Sequence, residues 1–269
     1  MNLLNIIGIG LALTLTAHGS IDKKELDGLK MGALVVKDLK SKHVLYAKDP
    51  EKRVSPASLT KVMTAILAIQ SGKMGQAVTI TRAMTKVKPT IAGYKNGDVV
   101  LMSDLVKAAM IKSDNDAAMA IAIFVGGNEE HFVALMNTRA RQLGMTHTHF
   151  TNPCGYDAKE HYSSPNDLLK MTEYAITSST FNAISKLNSH TYYALNKGKL
   201  RPFTAYTHNR LLNRYQYAVG VKTGFTNKAG ACLIARAKKD GKDCLIVMMN
   251  AKDDRWKTAK LIFEQVLNS

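Results

Sequence analysis

Three short patterns in this chain combine residue types that perform acyl chemistry: Ser58-Leu59-Thr60-Lys61, Ser113-Asp114-Asn115 and Lys222-Thr223-Gly224, in that order. A serine hydroxyl becomes a useful nucleophile only when a base takes its proton, and a lysine three residues on along a helix lies one turn away on the same face. Ser58 opens an apolar stretch, so a helix N-terminus there would add its dipole and free N–H groups for a developing oxyanion. Ser113-Asp114-Asn115 falls in the break between two expected helices, where side chains can project into a cleft. Lys222-Thr223-Gly224 ends a β-type run, and Gly224 would let a substrate backbone approach closely.

Taken singly, each pattern has chance matches. Ser-x-x-Lys recurs at residues 20–23, Ser-x-Asn at residues 164–166, and a Tyr-x-Asn variant at residues 94–96. Context separates them: Ser20 lies at an expected processing point, Ser164 reads as a helix cap, and Tyr94-Lys95-Asn96-Gly97 reads as a turn.

The elements that must position the patterns follow from periodicity. Residues 31–36 and 43–47 are β-type runs joined by a short turn, a hairpin. Residues 58–70 place Val62, Ile66 and Ile69 at the period of a buried helix. Ser103 is expected to cap a helix over 104–111; a second runs over 116–125 and stops at Gly126-Gly127, and a third over 129–143 is closed by Gly144. Residues 144–163 are loop-like, and Ser164-Pro165 opens a helix reaching 176. Four β-type runs follow, at 191–195, 217–221, 231–237 and 245–250, before a helix over 254–267 whose Trp256, Ala259, Phe263 and Val266 form a packing stripe. The expected fold is α/β in content and α+β in arrangement. One antiparallel sheet is built from both ends of the chain, covered by the terminal helices, with a mainly helical lobe inserted between.

Composition narrows the setting. The net charge of +16 predicts attraction to polyanions. No basic run, aromatic-interleaved basic stripe or zinc-finger spacing points to nucleic acid, so none is expected as a partner; weak association with an anionic membrane surface remains open. Residues 3–17 are apolar but short for a bilayer span and end in Ala17-His18-Gly19, which predicts a signal peptide over 1–19, a catalytic domain over 20–269, and export to the periplasm or cell-wall space. An uncleaved anchor is the alternative. Cys154, Cys232 and Cys244 do not form a disulfide framework, and a hairpin turn at Asp240-Gly241 would pair Cys232 near Met249 rather than with Cys244. His147 and His149, with Cys154 and His161 nearby, match no common zinc spacing, so no metal is expected.

The ordered trio resembles the motif set of penicillin-binding proteins and class A β-lactamases. The closer likeness is to the low-molecular-mass penicillin-binding proteins of the D-alanyl-D-alanine carboxypeptidase and endopeptidase family. It rests on Ser55-Pro56-Ala57-Ser58-Leu59-Thr60-Lys61, Phe150-Thr151-Asn152-Pro153, Asn209-Arg210-Leu211-Leu212 and the stretch from Lys222-Thr223-Gly224-Phe225 through Gly230. The resemblance implies a β-lactamase/transpeptidase-like fold, with peptidoglycan peptides as substrate, β-lactams as inhibitors and no cofactor. It makes Ser58 the nucleophile, neutral Lys61 its base, Ser113 the proton donor to the leaving amine and Asn115 a holder of the substrate amide. Lys222 and Thr223 would bind the terminal carboxylate, and the N–H groups of Ser58 and Phe225 would form the oxyanion hole. Larger family members carry a further C-terminal β domain, and a chain of this length is expected to be the catalytic domain alone. Cross-link-cleaving endopeptidase activity stays beside carboxypeptidase activity, since both use the same groups. A β-lactamase would need a deacylating glutamate between the second and third motifs; the literal Glu-x-x-Leu-Asn at Glu264 to Asn268 comes after Lys222, in the wrong order. A non-catalytic wall-binding protein would keep the fold without acylation.

Overall fold

A computed structural model describes residues 21–268, so the signal-peptide reading of residues 1–19 lies outside the described residues. After a short helix α1 (Lys23–Asp27), β1 (Met31–Asp38) and β2 (Val44–Lys48) form the expected hairpin. A 3-10 turn (Ala57–Thr60) leads into α2 (Lys61–Gln70), then β3 (Ala77–Thr79), α3 (Arg82–Thr85) and β4 (Val99–Leu101). The helical middle holds α4 (Met102–Ile111), α5 (Asn115–Gly126), α6 (Glu129–Gln142), α7 (Pro165–Ala175) and α8 (Ser179–Ser185). The hairpin β5 (Ser189–Asn196) and β6 (Lys199–Tyr206), helix α9 (Leu211–Arg214), strands β7 (Ala218–Thr226), β8 (Gly230–Lys239) and β9 (Lys242–Ala251), and α10 (Arg255–Leu267) complete the chain.

Helix ends mostly follow local chemistry. Ser164 accepts the Asp167 N–H with Pro165 in the first turn of α7, Asn128 caps α6 through the His131 N–H, and Asp254 caps α10 through Trp256 and Lys257. Gly127 and Gly144, at φ +81° and +67°, end α5 and α6 as expected. Ser103 is a correction, because α4 starts two residues earlier than expected, at Met102, and Leu101 is its cap position. Tertiary contacts replace the side-chain cap there: the Met102 and Ser103 N–H groups donate to the carbonyls of Gln76 and Met74.

The five-stranded antiparallel sheet, ordered β2-β1-β9-β8-β7, joins both ends of the chain as expected. Alternate residues of its strands enter two apolar layers. Ala33 and Val35 of β1 with Val247 and Met249 of β9 face the helical lobe, including α2 and α7, whereas Leu34, Val36, Ile246 and Met248 face α1 and α10. Trp256, Ala259, Phe263 and Val266 pack in this second layer. The sheet count is a second correction: β5 belongs to a separate four-stranded sheet, β3-β4-β5-β6. Its other three strands escaped sequence reading because β3 and β4 are three residues each and β6 is an edge strand broken in pattern by Arg201 and Pro202. Strand β7 also runs on past 221 to Thr226, so Lys222-Thr223-Gly224 lies inside the strand instead of ending it. Cys154, Cys232 and Cys244 are free and buried, and burial pushes the first two thiols up to about 11.

Candidate active site

Ser58 sits in the 3-10 turn at the start of α2 rather than in a regular α-turn. Side chains at i and i+3 eclipse in that geometry, so the sequence spacing becomes contact: Lys61 Nζ lies 3.0 Å from Ser58 Oγ. The amine also donates to Asn115 Oδ1 at 2.7 Å and to the Cys154 carbonyl at 2.6 Å, and the lysine is fully buried. Burial lowers its pKa to about 8, against smaller upward pulls from Cys154 and Asp114.

The turn is held from below by a loop that the sequence marked only as family-like. Asn152 Oδ1 accepts three backbone N–H groups, from Cys154, Gly155 and Tyr156, and so aims the Cys154 carbonyl at Lys61. Gly155 has φ +87°, and a Cβ there would fall 1.9 Å from the Ala57 carbonyl oxygen. No other residue fits against the Ser58 turn at that approach. Beside it, Thr151 donates its N–H to His161 Nδ1 at 3.0 Å, which leaves Nε2 to carry the proton toward Thr60 Oγ1 at 2.9 Å. Burial pushes this imidazole down to about 4, so it is neutral and structural.

Ser113 occupies the break between α4 and α5 with φ +69°, a strained conformation for a side-chain-bearing residue. That turn separates its hydroxyl from α5 and presents it to Lys222, whose Nζ lies 2.9 Å away. Asn115 begins α5; its Nδ2 donates to the Lys88 carbonyl at 2.9 Å while its Oδ1 receives Lys61. Between them Asp114 is buried, 3.4 Å from Lys112 Nζ, and burial raises its carboxyl to about 6.

Lys222, on β7, is 1% exposed, and its amine is driven well below the ordinary lysine range, first by burial and then by the charges of Lys61 and Arg255. Burial thus works against the charged form of both amines. Two residues on, a Cβ at Gly224 would meet Pro56 O at 3.1 Å and Ser58 N at 3.3 Å, which shows how tightly β7 lies along the Ser58 turn. Phe225 is 64% exposed at the mouth.

A cleft of about 640 Å³ opens over Ser58, Ser113, Thr223, Gly224 and Phe225. It thus joins the three sequence-predicted motifs, with Lys61, Asn115 and Lys222 beneath its floor. Sequence reading missed much of its wall: Thr90, Thr207, His208, Arg210, Arg255 and Trp256. Arg210 lies in a family-like stretch, but nothing local singled out Arg255, which donates to the Gly224 and Cys232 carbonyls at 2.7 and 2.8 Å and stacks over Trp256. The cleft is electropositive: Lys222, Lys112 and Arg255 all add to burial in lowering the His208 pKa. Such a field favours an anionic ligand group.

His147, His149, Cys154 and His161 do not converge. His147 instead lies with Glu51 and Asp167, their candidate ligand atoms within 4.8 Å of one another. Those atoms serve the protein itself, since Asp167 accepts from the His147 N–H and Thr148 and pairs with Lys170. Glu264, of the literal Glu-x-x-Leu-Asn, sits on α10 in an exposed pair with Lys260 and is not part of the cleft wall.

The family model described as D-alanyl-D-alanine carboxypeptidase matches residues 21–253. The D-alanyl-D-alanine carboxypeptidase DacF of Bacillus subtilis is 32% identical over 223 residues, covering 81% of this chain and 57% of that protein. DacC of Escherichia coli, of the same description, is 32% identical over 265 residues, covering 89% of this chain and 61% of that protein. The chain thus spans less than two thirds of the length of either relative. Among solved structures, the Streptomyces K15 DD-transpeptidase superposes with a TM-score of 0.85 at 29% identity, covering 90% of this chain and 98% of that one. Motifs, fold and relatives agree, and the chain belongs to the D-alanyl-D-alanine carboxypeptidase family.

Proposed function

We propose that this protein is an exported serine D-alanyl-D-alanine carboxypeptidase that trims peptidoglycan stem peptides through an acyl-enzyme on Ser58. The observation that carries the reading is the fully buried Lys61 amine 3.0 Å from Ser58 Oγ, lowered to about 8. In its neutral form this amine takes the hydroxyl proton as Ser58 attacks the penultimate D-alanine carbonyl.

The electropositive cleft receives the substrate's terminal carboxylate at Thr223 and Lys222, and that carboxylate supplies the counter-charge which lets Lys222 hold a proton. Ser113, bonded to Lys222 at 2.9 Å, then passes a proton to the departing D-alanine amine and refills from Lys222. Asn115, which already bonds Lys61 and the Lys88 carbonyl, holds the substrate amide beside them. The N–H groups of Ser58 and Phe225 serve the oxyanion, brought together by the contact of Gly224 with the Ser58 turn. Water then attacks the acyl-enzyme; the proton it loses returns to the Ser113–Lys222 pair, and Lys61 returns one to the Ser58 oxygen. β-Lactams acylate the same serine as substrate mimics.

Endopeptidase cleavage of cross-links is the second reading, favoured by the breadth of the cleft, which extends to Thr207, His208 and Arg210 beyond the catalytic groups. Incubation with a pentapeptide and, separately, with cross-linked muropeptides tests both. Release of free D-alanine is expected; resolution of cross-links without D-alanine release would transfer the assignment to the endopeptidase. Failure of a fluorescent penicillin to label Ser58 would leave only a non-catalytic wall-binding role.

A further inference from the structure

The outer face of the second sheet differs from the rest of this basic chain. Through the strand register, its outward positions are Ala77 and Thr79, Val99 and Leu101, and every second residue of β5 from Ser189 and of β6 from Leu200. None of them is charged. Leu101, Tyr193, Leu195, Leu200 and Tyr206 on this face are between 44% and 69% exposed. A groove of about 320 Å³ runs among Val99, Leu101, Tyr193, Leu195 and Leu200.

At one end of the face, charge returns with a single sign. Asn196, in the β5–β6 hairpin, donates to the Asn96 carbonyl at 3.4 Å and to Asp98 at 2.7 Å, so the turn at 95–97 packs beside the hairpin tip. Lys95, Lys197 and Lys199 are exposed there, and residues 189–206 contain no Asp or Glu. The two acids nearby are both paired, although Asp104 lines the groove. Asp98 is completely buried and bonded to Arg201, and Asp104 is held by His190 at 2.7 Å and Lys107 at 3.4 Å.

Exposed leucines, tyrosines with one apolar and one polar end, and a rim of lysines without acids are the complement of an anionic bilayer surface. A second copy would bring another chain of +16 against this one, whereas anionic lipid offers the opposite charge. We propose that the β5–β6 hairpin and the sheet face behind it dock on an anionic lipid surface, with Leu195 and Leu200 entering the interface and Lys95, Lys197 and Lys199 meeting phosphate headgroups. The setting, though not the physics, rests on the exported reading above.

Because the three native cysteines are buried, a single surface cysteine takes an environment-sensitive fluorophore selectively. Placed at Leu200→Cys, the probe should brighten several-fold and shift to the blue with phosphatidylglycerol-containing vesicles but not with phosphatidylcholine alone. The same probe at Lys257→Cys on α10 should not respond. In unlabelled protein, Lys197→Gln with Lys199→Gln should weaken vesicle binding about thirtyfold, whereas Lys257→Gln with Lys260→Gln, an equal loss of charge, should weaken it by less than about threefold. Equal responses at both probe positions, equal weakening by both pairs, or dimerisation without a vesicle response would overturn the proposal. D-Alanine release is scored separately, so a wrong hydrolase assignment and a wrong docking surface give different results.

Discussion

The two faces of the five-stranded sheet carry opposite kinds of burial. Toward α10 the layer is nearly all apolar, with Phe263, Ile262, Leu34 and Ile246 at 0% exposure, and it holds none of the cleft motifs. Toward α2 the same strands support a cleft floor in which Lys61, Lys222 and Asp114 are almost wholly buried and Ala57 and Ser113 adopt left-handed backbone conformations. Buried amines and positive φ values are unfavourable in themselves. The apolar layer offsets them, and the difference shows stability and chemistry allotted to opposite sides of one sheet.

The largest test of that division is Ser58→Ala. It should lower acylation by penicillin and peptide turnover by about four orders of magnitude, with no fall in the thermal midpoint; a collapse of stability would mean that the cleft side also holds the fold together. The mirror experiment, Phe263→Ala, should cost about 3–5 kcal/mol in denaturant unfolding, with an unchanged penicillin acylation rate per folded molecule. Loss of that rate in molecules still folded would show that the two faces are coupled.

Gly155→Ala sharpens the comparison, because Gly155 belongs to the cleft side by packing alone. A Cβ at φ +87°, 1.9 Å from the Ala57 carbonyl, should destabilise by at least about 2 kcal/mol and should also slow acylation by displacing the Ser58 turn. The smallest effect is in pH. Burial lowers the Lys61 ammonium from the ordinary lysine value to about 8, and a lysine acting as the base would work only when neutral. kcat/KM should therefore rise about tenfold per unit below that pH and level off above it; a limb centred near pH 10 would mean that the amine is not desolvated in the working enzyme.

Much of this division is visible in the linear chain. The alternating apolar residues of β1, β8 and β9 specify a sheet with two covered faces, and the stripe Trp256, Ala259, Phe263 and Val266 specifies the helix that covers one of them. Local spacing also sets Ser58 beside Lys61, since three residues along a helical or 3-10 turn is a fixed short distance. Only β5 of the second sheet was legible, because strands as short as β3 and β4 carry no measurable period and β6 is interrupted by Pro202.

By itself, then, the order of residues determined which groups are available for chemistry, which helical stretch follows Ser58 and which faces are apolar. Those properties depend on neighbours a few residues away. Only the tertiary structure decided that Lys222 reaches Ser113, that Asn115 and the Cys154 carbonyl share Lys61, and that Arg255 braces Gly224. It also decided which of the amines lose their water. Those outcomes depend on contacts across tens to more than a hundred residues of chain and on the burial they create, and neither is encoded at any single position.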